Sequence, residues 1–99
     1  VEEQIDLMMS PVVRLPSGGS IVINTTEALV AIDVNSGRST RERHIDETAL
    51  KTNLEAAEEV ARQMRLRDLA GLVVVDFIDM SDPQHIQQIE KRMRDAVKA

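Results

Sequence analysis

The sequence predicts a small mixed α/β domain: an antiparallel β-meander, then a right-handed β-α-β crossover, then a last helix. Three observations carry that reading. Leu29-Val30-Ala31-Ile32-Asp33-Val34-Asn35 is a strand-length, β-branched apolar run that ends in an acid and an amide. Leu72-Val73-Val74-Val75-Asp76 echoes it and also ends in an acid. Between them, Leu50, Leu54, Ala57, Val60, Ala61 and Met64 recur at the spacing of one helical face. The expected element order is (α)-β-β-β-α-β-α.

The chain has 99 residues, enough for one core and not two, so 1–99 reads as a single domain. There is no cysteine, hence neither a disulfide framework nor a thiolate metal site. Phe77 is the sole aromatic residue, which argues against base stacking on an aromatic platform. The net charge of -5 argues against a generally basic nucleic-acid surface, although a bound divalent cation would offset part of it. No apolar run approaches the roughly 20 residues that span a bilayer, and no signal-peptide pattern opens the chain. The absence of an initiator Met suggests an excised piece of a longer protein.

Taken in order, residues 1–10 place Val1, Ile5 and Met8 at helical spacing and read as the end of a preceding helix, cut short by Pro11. Val12-Val13-Arg14-Leu15 is a short strand, Pro16-Ser17-Gly18-Gly19 a turn, and Ser20-Ile21-Val22-Ile23 a second strand. Asn24-Thr25-Thr26-Glu27 turns the chain into the Asp33 strand, which completes the meander. Residues 36–44 have no apolar side chain and carry Arg38, Arg41 and Arg43 against one acid, the texture of a loop. A long helix begins around Asp46 as cap, with Glu47 suited to its positive N-terminus. Glu58 and Arg62 form an i,i+4 pair on its wet side. The helix ends near residues 66–68, and Gly71 leads into the Asp76 strand. Strand, helix and strand in succession imply two parallel strands joined by a crossover. Asp82 as cap and Pro83 as first helical residue start the last helix, whose buried stripe is Ile86, Ile89, Met93 and Val97.

Alternation along a strand puts Val30, Ile32 and Val34 on one face and Asp33 with Asn35 on the other. The Asp76 strand is apolar almost throughout, as a strand buried on both faces should be. A carboxylate is costly to bury unpartnered, and both acids end parallel strands at the edge where open α/β sheets bind ligands. Asp33 and Asp76 therefore read as two acids sharing one ligand. With Asn35 they offer hard oxygens suited to Mg²⁺ or Mn²⁺, and without thiolates they suit zinc poorly. Mg²⁺ held by one or two carboxylates is typically used where phosphates are the substrate. The plainer alternative is that each Asp caps a neighbouring loop by accepting backbone N–H bonds. His44 and His85 read as solvated, and Ser17-Gly18-Gly19-Ser20 as a hairpin turn rather than a phosphate cradle. Arg38, Arg41 and Arg43 either grip a phosphate backbone or form a solvated loop. Asp79 reads as a supporting residue beside the metal ligands and Asp82 as a cap.

Leu15-Pro16-Ser17-Gly18-Gly19, Thr26-Glu27-Ala28-Leu29, Ala31-Ile32-Asp33-Val34-Asn35-Ser36-Gly37, Thr52-Asn53-Leu54-Glu55-Ala56, Arg62-Gln63-Met64-Arg65-Leu66-Arg67-Asp68-Leu69 and Val75-Asp76-Phe77-Ile78-Asp79-Met80 closely resemble the catalytic region of the ribonuclease E/G family. The arginine-containing loop is more similar to the ribonuclease E branch. The resemblance implies most of a DNase I-like subdomain, with Asp33 and Asp76 coordinating a catalytic Mg²⁺ and Asn35 supporting that site. It implies an endoribonuclease that cuts single-stranded, AU-rich RNA by metal-activated water, leaving 5′-phosphate and 3′-hydroxyl ends. It further implies roles in bacterial mRNA decay and in rRNA and tRNA processing, a homotetramer, RNA degradosome partners, and a cytoplasmic location at the inner face of the membrane through segments outside this chain. The zinc of the full-length family enzyme would have no ligands here, and the piece alone is expected to be inactive. Two other function classes stand beside this one: a metal-dependent phosphodiesterase on another substrate, and a non-catalytic interaction domain whose acids are structural.

Overall fold

The computed structural model describes residues 11–37, 45–67 and 71–98. The expected helix end at 1–10 and the segment holding Arg38, Arg41, Arg43 and His44 lie outside the described residues. The elements run β1 (Val12–Arg14), β2 (Ser20–Thr25), β3 (Val30–Asn35), α1 (Ile45–Leu66), β4 (Val73–Asp76) and α2 (Pro83–Lys98). The strands form one sheet in the order β1-β2-β3-β4, antiparallel through β3 and parallel between β3 and β4. The meander, and the crossover through α1, are those the sequence predicts. Among the described residues no helix is long and apolar enough to cross a membrane.

The two hairpin turns set the register. In the first, Leu15 N–H bonds Gly19 O at 2.8 Å and Gly18 N–H bonds Leu15 O at 3.0 Å, while Gly18 takes φ 103°, a region that residues with a Cβ rarely enter. Gly19 is needed for a different reason: a Cβ there would lie 2.7 Å from Asn35 O and 2.8 Å from Thr52 Cγ2. Thr26 closes the second turn, its N–H and hydroxyl both donating to Leu29 O while its oxygen accepts from Leu29 N–H. That turn comes two residues later than expected, because β2 continues to Thr25 opposite Val30.

One face of the sheet carries the core. Ile21, Ile23, Val30, Ile32 and Val34 pack with Leu15 and with Ala56 and Val60 of α1. Ala49, Ala56, Ala57 and Ala61 are all buried, so α1 approaches its neighbours over small side chains. Across the molecule α1 meets α2, with Arg92 donating to Glu58 at 2.8 Å and Arg65 donating to Ala96 O at 3.1 Å. This corrects the local pairing expected for Glu58. Arg62 turns instead to Glu59 at 3.1 Å, because Glu58 lies on the α2-facing side within reach of Arg92.

Two further expectations change. β4 is an edge strand, not one buried on both faces: Leu72 is 60% and Val74 47% exposed. The α2 stripe is half open as well. Ile89 is buried, yet Ile86 and Val97 stand 41% and 52% exposed along a groove of about 770 Å³ between α2 and residues 77–80. His85, read as solvated, is half-buried and turns Nε2 toward Asp82 at 3.5 Å. Asp82 caps α2 as expected, accepting Gln84 N–H at 2.9 Å.

Candidate metal centre

The alternation in β3 decides where its acid goes. Val30, Ile32 and Val34 are buried beneath α1, so Asp33 and Asn35 emerge on the opposite, open face. β4 repeats the pattern at lower burial, with Val73 and Val75 inward and Val74 and Asp76 outward. The parallel register pairs Ile32 with Val75 and Asp33 with Asp76. The two carboxylates thus stand side by side on the same face of adjacent strands, whose backbones lie about 4.8 Å apart. Both are at the carboxyl ends of their strands. Exposure spares each acid the cost of burial, but like charges directly across a strand pair repel. A shared cation would remove that repulsion.

Among the described residues no group of three or more His, Cys, Asp or Glu converges. The donor set here is therefore two carboxylates with an amide two residues along β3. That is a poor cage for a tightly held ion and a suitable one for Mg²⁺, which keeps several waters and completes its shell with substrate phosphates. Asn35 lies at the end of β3, opposite Ser20, its carbonyl against Gly19. Asp79 lines the α2 groove with Phe77, Ile78 and Met80. Arg38, Arg41 and Arg43 lie outside the described residues.

The loops around this edge are fastened from α1 by two side chains to which sequence reading assigned no role. Asn53 is fully buried and makes a two-point clamp on Ile78, donating from Nδ2 to the carbonyl and accepting the N–H at Oδ1, both at 2.9 Å. The chain leaving Asp76 is thereby tied down two residues on. Glu55 holds the other side, its Oε1 accepting Ser17 N–H at 3.1 Å and Ser17 Oγ–H at 2.7 Å. The available signal was an amide between Thr52 and Leu54 on a helix that must be covered. A buried amide has to find partners, but its partners lie 25 residues away.

All of residues 1–99 match the model of the Ribonuclease E/G family. The chain belongs to that family. It is 64% identical to ribonuclease E of Haemophilus influenzae over 98 residues, which is 99% of this chain and 10% of that protein. With Escherichia coli ribonuclease E the identity is 60%, covering 99% of this chain and 9% of that protein. With Escherichia coli ribonuclease G it falls to 38%, covering 98% and 20%. The chain is thus nearer ribonuclease E than ribonuclease G, and it spans about a tenth of the length of the ribonuclease E relatives.

Proposed function

We propose that this chain supplies the metal-binding edge of an endoribonuclease active site. The observation that carries the reading is the register of Asp33 against Asp76 on the open face of the sheet; membership of the ribonuclease E/G family supports it. Asp33 and Asp76 would hold Mg²⁺, with Mn²⁺ as a substitute. When bound, the metal activates water and offsets charge at the scissile phosphate. The protein's own part is positional. Parallel pairing sets the two carboxylates at one height, the Asn35 amide orients groups beside them, and the Asn53 and Glu55 clamps tie the flanking loops to α1. The substrate is single-stranded, AU-rich RNA cut to 5′-phosphate and 3′-hydroxyl ends.

The test uses the full-length polypeptide carrying this sequence. Asp33→Asn and Asp76→Asn each abolish Mg²⁺-dependent cleavage of a single-stranded AU-rich oligonucleotide while leaving its binding within a few-fold, because the lost charges hold the ion and not the strand. Cleavage that survives either substitution, or that proceeds without divalent cation, overturns the reading.

A further inference from the structure

Ser17, Thr48, Lys51 and Thr52 line a polar cleft of about 170 Å³ between the β1–β2 turn and the first turns of α1. Thr48, Lys51 and Thr52 stand at i, i+3 and i+4, so they share one helix face. Thr52 is only 3% exposed although it carries a hydroxyl. Among the described residues, the side chains of Thr48, Lys51 and Thr52 make no hydrogen bond or ion pair. Among the described residues, no carboxylate lines the cleft. Of the two acids one helical turn from Lys51, Glu55 is engaged by the N–H and hydroxyl of Ser17, and the side chain of Glu47 lies outside the described residues. The cleft therefore presents one cation and two unused hydroxyl donors, the complement of a phosphate group.

Its position links it to the carboxyl edge of the sheet. Gly19 alone separates Thr52 Cγ2 from the Asn35 carbonyl, and Asn35 is two residues beyond Asp33 on the same strand. A chain with a phosphate in the cleft would run on across the end of β3.

We propose that this cleft is a phosphate-binding subsite. It takes an internal phosphodiester of the single-stranded polynucleotide whose scissile group lies at Asp33 and Asp76, and so rests on the metal-site reading above. The Lys51 ammonium supplies the charge, and the Thr48 and Thr52 hydroxyls fix the group's orientation.

The experiment compares Lys51→Gln, Lys51→Arg and Thr52→Val in the full-length polypeptide, on oligonucleotides of one sequence bearing either a 5′-phosphate or a 5′-hydroxyl. Lys51 is exposed and Thr52→Val keeps the methyl that meets Gly19, so the fold is retained. Lys51→Gln raises KM about tenfold, the loss of one charge-assisted contact, with kcat and the Mg²⁺ dependence held. It also lowers the magnitude of the log–log salt slope by about 0.7, one phosphate contact on a single strand. Lys51→Arg keeps that slope, and Thr52→Val raises KM by a smaller factor. The penalty is equal on the two 5′ ends. An unchanged KM and salt slope in Lys51→Gln overturns the subsite, and a penalty confined to the 5′-phosphate substrate overturns its assignment to an internal phosphodiester. Failure of the metal-site reading is separate: it shows as cleavage surviving Asp33→Asn, whatever Lys51 does.

Discussion

Replacing Asn53 by Ala removes both ends of the clamp that ties the chain after Asp76 to α1. Two hydrogen bonds of 2.9 Å are lost, and the Ile78 N–H and C=O lose their partner in a part-buried position. Each such bond contributes about 1 kcal/mol net, and each buried group left unsatisfied costs about 1–3 kcal/mol. Partial access of water to Ile78 relieves some of that, so the expected loss is about 2–4 kcal/mol. A chain of this size has a total stability of about 5–15 kcal/mol, which makes the loss large. With a urea m-value of about 2 kcal/mol/M, the midpoint falls by about 1–2 M. Asn53→Asp is at least as damaging, since it keeps an acceptor for the Ile78 N–H but turns a second acceptor, carrying charge, toward the carbonyl in a fully buried position. Urea unfolding of the 99-residue chain gives the midpoints, and amide hydrogen exchange at Ile78 reports the clamp directly. A midpoint shift below about 0.3 M, roughly half a kcal/mol, with Ile78 still protected, would refute the role given to Asn53.

Gly19→Ala forces a Cβ to within 2.7 Å of Asn35 O and 2.8 Å of Thr52 Cγ2; it should destabilise by about 1–3 kcal/mol, the usual cost of overpacking, as read by thermal unfolding. Gly18→Ala meets no atom within 4 Å, so its cost is only the positive φ, about 1–2 kcal/mol. A double-mutant cycle on Glu58 and Arg92 should give a coupling under about 1 kcal/mol that shrinks with added salt, as for exposed pairs generally. The same cycle on Glu58 and Arg62 should give none.

The strand placement of the candidate site was legible where local rules decide the outcome. Alternation along Val30–Asn35 fixes which side chains face α1, and a helix between two apolar strands makes them parallel, so the pairing of Asp33 with Asp76 follows from pattern alone. Asp82 and Pro83 start α2 for equally local reasons. What escaped was settled over long range. An apolar strand such as β4 has the composition of a central strand, yet it lies at an edge of this sheet with Val74 facing outward. The Ile86 and Val97 positions of α2 mislead in the same way, because apolar spacing records that a face is to be covered without saying by what. Glu58 left its i,i+4 partner for Arg92, 34 residues away, since helix packing and not helix periodicity brings those two together. Asn53 was invisible as a clamp because its partner is backbone, which has no sequence signature.

Whether Asp33 and Asp76 share one cation is tested most directly by Mn²⁺-induced relaxation of backbone amide signals in the 99-residue chain, recorded at substoichiometric Mn²⁺. Broadening should centre on residues 33–35 and 76, vanish on adding excess Mg²⁺, and be lost in both Asp33→Asn and Asp76→Asn, since a single carboxylate cannot replace the pair. Broadening centred on other acids, or persisting at residue 76 in Asp33→Asn, would contradict a shared site.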